Sequence, residues 1–221
     1  MTEGIINING NSVQTLEIIF LTTMIMLLPA IVVMMTSFTR YIISLSFLRT
    51  AMGTQQTPPN LVLIGLALFL TLFTMSPVIE QINQEAYQPY VADEIDQAEF
   101  FRRAQVPLKR FMLNNSEISA VRLFCEMAGE EVPEDVEAGM DLPIQVVTPA
   151  FATSELKRSF QIGLLLYLPF LLLDIIVSTT LMSMGMMMLP PAMISTPFKL
   201  LLFITVDGWE LLFSTLLHGF R

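Results

Sequence analysis

The stretch LLLYLPFLLLDIIVSTTLMSMG, residues 164–185, carries a single charge, Asp174, over a length that crosses a bilayer. A helix rises about 1.5 Å per residue, so about 20 apolar residues span the hydrocarbon, where no water can satisfy an unpaired backbone. This reading places the chain among helical membrane proteins. Of its 221 residues 53% are hydrophobic and 14% charged, with a mean hydropathy of +0.64; an ordinary soluble domain carries about 25% charge.

Four apolar stretches result: residues 18–39, 61–79, 162–189 and 198–217. The third holds Asp174; the fourth holds Lys199, Asp207 and Glu210. The expected fold is an all-α integral membrane protein, its four long hydrophobic helices forming hairpins around a small helical extracytoplasmic insert. The chain divides into an N-terminal segment (1–15), a first hydrophobic hairpin (16–82), an acidic insert (83–160) and a second hydrophobic hairpin with a Met-rich loop (161–221).

The insert holds 14 of the 20 acids but only 7 of the 11 Lys and Arg. That balance, without a basic stripe, excludes nucleic acid as partner. EISAVRLFCEMAG (117–129) reads as an amphipathic helix capped by Asn115-Ser116 and stopped at Gly129. EIDQAEFFRRAQVPLKRFML (94–113) reads as another, broken or kinked at Pro107. GEEVPEDVEAGMDLP (129–143) reads as a solvated acidic loop.

Arg40 and Arg49, between the first two stretches and free of acids, read as cytoplasmic anchors, which places the insert and both termini outside. The start, MTEGIINING, has no basic leader region. Cys125 stands alone, so the sequence holds no disulfide pair and no cysteine metal site; His218 stands alone too. With no Walker loop, GxSxG or HExxH, the expectation is a protein that is not an enzyme and needs no cofactor.

Asp174 reads either as a proton or ion relay or as a polar contact fixing two helices. Asp207 and Glu210, three apart, are expected on one helical face, making polar contacts with protein. In MSMGMMMLPP (182–191), Gly185 loosens the chain and Pro190-Pro191 ends the helix, so Met186, Met187 and Met188 project from a turn. Thioethers there fill gaps, form a deformable seal, or bind Cu(I) through Met182, Met184, Met186, Met187, Met188 and Met193 as part of an ion transporter.

GTQQTPPN (53–60), MGMMMLPP (184–191) and VDGWELL (206–212), within the longer runs 36–77 and 148–212, resemble the FliP family. Its members are inner-membrane export-gate proteins of the flagellar type III secretion system; the related virulence injectisome subunit is a more distant likeness. The resemblance implies an oligomeric ring of about five copies, completed by FliQ and FliR, assembled with FliO and working with FlhA and FlhB. Unfolded flagellar subunits would pass through it, across the inner (cell) membrane at the flagellar basal body, with membrane lipid around it. It also implies that Met186, Met187 and Met188 form a gasket around the pore, with Gly185, Pro190 and Pro191 as the hinge of the gate loop.

Overall fold

The computed structural model describes residues 6–8, 11–13, 15–54, 56–186 and 188–220. Strands β1 (Ile6–Ile8) and β2 (Asn11–Val13) pair antiparallel, with Ile6 opposite Val13, ahead of the helices. The first apolar stretch forms α1 (Thr15–Met35), through Pro29. At Thr36-Ser37 the chain turns by 79° into α2 (Phe38–Met52).

The segment that carries Arg40 and Arg49 is this helix, α2, whose Arg40, Tyr41, Ser44, Leu45 and Leu48 are buried, and α2 and α8 pack more extensively than any other pair of helices among the described residues. Arg40 therefore serves as an interior residue. The positive-inside rule counts exposed charge near a membrane, and 1% exposure removes Arg40 from that count.

Gly53 ends α2 with φ +73°, and after a short turn α3 (Asn60–Ile82) runs antiparallel to α2 and continues through a π-helical turn, Asn83–Tyr87, into α4 (Gln88–Val91). The Arg49 guanidinium ties the turn by donating to the Pro58 carbonyl and the Asn60 side chain.

Three helices build the body of the insert. α5 (Gln97–Asn114) begins at Asp96, whose carboxylate accepts the Glu99 N–H at 2.8 Å. It runs through Pro107 without the break that was one of the two expectations there; the proline ring is buried, and that packing accompanies the missing backbone bond. α6 (Ile118–Ala128) stops at Gly129 as expected, with φ +74° there. Its N-cap is Glu117 rather than Asn115-Ser116, and the Glu117 N–H donates to Ser154 Oγ at 2.9 Å. Lys157 beside it holds the Glu117 carboxyl below the usual carboxylate range. α7 (Val136–Gly139) is a single turn capped by Asp135.

α8 (Ile144–Ser183) is one helix of 40 residues that starts in the insert and ends at the Met-rich loop, through both Pro149 and Pro169. α9 (Pro191–Thr205) and α10 (Gly208–His218) follow, bent 64° from one another, so the fourth apolar stretch is a broken helix. Among the described residues two helices are long and apolar enough to cross a membrane, or up to four if each bent pair counts as one. The protein is a helical membrane protein.

The core has two parts. Phe111, Met112, Val121, Cys125, Val147 and Phe151 fill the insert against the end of α3. Tyr41, Leu45, Leu63, Phe170, Phe203 and Leu216 fill the membrane portion. Phe220 packs against both.

Candidate functional site

The Met-rich segment is a loop at the tip of an antiparallel helix pair. α8 ends in a specific backbone device: the Gly185 N–H donates to the Met182 carbonyl at 3.1 Å and the Met186 N–H to the Leu181 carbonyl at 3.0 Å, with Gly185 at φ +74°. This crossed pair satisfies two carbonyls that a helix end leaves orphaned, and it requires a left-handed residue, which glycine supplies without a Cβ penalty. Restart is equally local. Pro190, with φ −67° and ψ 117°, stands just before α9, and Pro191 occupies its first turn, where a missing N–H costs nothing.

Between these ends little of the chain covers the methionines. Met182, Met184, Met186, Met188 and Met193 are 62%, 68%, 41%, 98% and 74% exposed. Met187 lies outside the described residues. Apolar side chains so disposed, at the end of a rigid pair, are surface the single chain leaves for something else to bury.

A polar clamp holds α8 and α9 together beneath the loop. The Ser195 hydroxyl donates to Asp174 Oδ1 at 2.6 Å, and Lys199 Nζ donates to Oδ2 at 2.6 Å. Lys199 also donates to the Ala51 carbonyl at 3.1 Å, so its charge sits at the C-terminal end of α2, where the helix dipole favours a cation. Three helices thus meet on one ammonium whose side chain is 6% exposed, against 32% for Asp174. Sequence reading singled out Asp174 and left Lys199 unassigned as a partner. The signal was present: the two charges lie at similar distances on either side of the loop, and an antiparallel pair brings such positions level.

Asp207 is the N-cap of α10, in a left-handed conformation with φ 50° where the fourth apolar stretch breaks, and Glu210 stands in the first turn of that helix. Both are exposed on this chain, and neither forms an ion pair among the described residues. The elbow is tight: a Cβ on Gly208 would stand 2.2 Å from the Phe203 ring, so the backbone must pass there without a side chain. Trp209 packs edge-on against that same ring at 5.3 Å.

A second polar cluster escaped the sequence reading. Arg40 Nε donates to Glu155 Oε2 at 2.7 Å, and its Nη2 pairs with Oε1, in a bidentate bridge between α2 and α8. Its Nη1 donates to the Gly219 carbonyl at 2.7 Å, and the guanidinium lies 3.5 Å from the Phe220 ring centroid. Nothing in a lone Arg after an apolar run distinguishes an interfacial anchor from an interior partner.

The sequence profile of the FliP family matches residues 21–216. Over 210 residues the chain is 47% identical to the flagellar biosynthetic protein FliP of Bacillus subtilis, covering 95% of this chain and 94% of that protein. It is 45% identical over 213 residues to FliP of Aquifex aeolicus, covering 96% and 88% respectively. Against FliP of Pectobacterium carotovorum the figures are 48% over 214 residues, covering 96% and 82%. These matches run through both membrane portions, the clamp and the loop, and the chain belongs to the FliP family.

Proposed function

We propose that this chain is a pore-forming subunit of the flagellar type III export gate, with its Met-rich loop as the gasket. As a FliP family member it is a component of flagellar biosynthesis and its export apparatus. The finer reading rests on one observation: a helix pair locked by the Asp174–Lys199 clamp ends in a methionine loop that its own chain leaves open. About five such loops around one axis would close a ring of thioethers that excludes ions yet deforms around a passing chain, since Met is apolar with three rotatable bonds.

In this reading the protein is not an enzyme. It sits in the inner membrane at the basal body with FliQ and FliR, is assembled with the help of FliO, and works beside FlhA and FlhB. Asp207 and Glu210, exposed on one copy, find their partners on a neighbour. The test is to replace Met186, Met187 and Met188 together by Ala and measure ion leak across the membrane alongside secretion. A raised leak with secretion partly retained is expected; an unchanged seal in a well-assembled ring would overturn the gasket role.

A further inference from the structure

We infer that the junction between the insert and the membrane portion holds a seat for an anionic phospholipid, with an acyl chain along α3 and the phosphate between Arg110 and Arg158. A cavity of about 400 Å³ lies there, and α3, α5 and residues 217–220 of one chain supply its walls. Along α3 the lining passes from Phe73 through Pro77 and Val78 to Gln81, apolar to polar. The change falls where the helix itself leaves its apolar stretch, at Glu80 and Gln81. Leu217 and Phe220 add apolar wall, and α5 brings Arg110 and Asn114. Phe69, Phe73 and Pro77, successively four apart and all exposed, extend the apolar part as a track along α3. Its length is about 12 Å, against roughly 15 Å for the hydrocarbon of one leaflet.

Charge identifies the headgroup. The insert carries 14 acids against 7 Lys and Arg, yet no acid lines this cavity or the smaller one, of about 230 Å³, that shares Asn114 with it and is walled by Arg158. Arg158 Nη1 stands 4.0 Å from Glu155 Oε1, but Arg40 already bonds both oxygens of that carboxylate. Two guanidiniums thus attend one acid, and one positive charge is left over. Arg110 Nη2 stands 3.7 Å from Glu137 Oε1, with the side chains 48% and 76% exposed, a pairing that solvent weakens. A phosphodiester supplies the missing anion, and guanidinium binds it through parallel N–H donors. Basic pockets beside membrane helices take anionic headgroups for this reason. A free phosphate would use the arginines and leave the apolar track bare, so the two-part lining favours a lipid. The seat stands apart from the Met-rich loop, and the inference holds whether or not that loop seals a pore.

The test is native mass spectrometry of the full chain, extracted from the membrane in the assembly it forms, with dioleoylphosphatidylglycerol and dioleoylphosphatidylcholine titrated separately. Expected is a phosphatidylglycerol held on each copy and retained several-fold better than phosphatidylcholine. R110Q/R158Q should lose that preference. R102Q/R103Q, which removes the same charge from an exposed part of α5 where both arginines pair with Glu99, should keep it. Equal retention of the two lipids by the wild-type assembly overturns the inference without any variant, and is the outcome if a neighbouring copy fills the cavity. A preference kept in R110Q/R158Q overturns it as well, as does an equal loss in both variants, which would reduce the effect to net charge. Release of the lipid by inorganic phosphate at matched concentration would make the site one for a free anion and overturn the lipid assignment.

Discussion

Gly185 shows how much one residue decides at the mouth of the loop. Its φ of +74° lies in the region where a Cβ is crowded against the following carbonyl, and an added Cβ meets nothing else within 4 Å. The cost of substitution is therefore conformational. Gly185→Val should destabilise the end of α8 by about 1–2 kcal/mol, with Gly185→Asn less harmful because Asn tolerates this region. Hydrogen exchange at the Gly185 and Met186 amides, which close the cap, and thermal unfolding in detergent would measure it; equal protection in Val and wild type would mean the cap is not what ends the helix. The sequence showed a glycine where the helix stops. The two crossed hydrogen bonds that make it a cap, and that must break if it is to move as a hinge, depend on backbone geometry that residue type alone does not reveal.

Among the elements, the α8–α9 pair depends on charge placed where charge is expensive. Removing one member of a buried pair leaves the other uncompensated, at about 3–5 kcal/mol. Asp174→Asn keeps an acceptor for Ser195 but strands Lys199, the more buried partner, and should approach that range. Adding Lys199→Met should recover most of the loss. Strong non-additivity in thermal unfolding in detergent is the signature; a double variant that loses the sum of both singles would mean the charges do not act as a pair. Retained secretion in the double variant would also show that Asp174 fixes packing rather than relaying protons. The apolar stretches were legible because hydropathy over a long window reports local composition. Their partition was less so: Pro29 and Pro107 lie inside helices that continue, while the fourth stretch breaks at Asp207, where no proline stands. Tertiary packing decides whether a proline stops a helix, and α2, mixed in polarity, acquires its role only from the α8 face it covers.

At the scale of the whole molecule, the two cores are joined by the end of the chain. Phe220 touches both, stacking on Phe111 of the insert at 6.0 Å and tilting against Tyr41 of the membrane portion at 5.5 Å, under the guanidinium of Arg40. The Gly219 carbonyl, bonded to that guanidinium, anchors the turn that places the ring. α10, which follows the loop and α9, is in this way tied to the insert at the opposite end of α8. Phe220→Ala should cost about 2 kcal/mol, less than the roughly 3–5 of a fully buried ring because Phe220 is only partly covered. Phe220→Leu should recover the apolar contact while losing the attraction to Arg40, and so fall between the two. The distinguishing measurement is hydrogen exchange in the full-length chain. A junction between cores predicts faster exchange in both α10 and α5 on truncation to Ala, although the two helices are distant in sequence, whereas a ring that merely covers its own helix would loosen α10 alone.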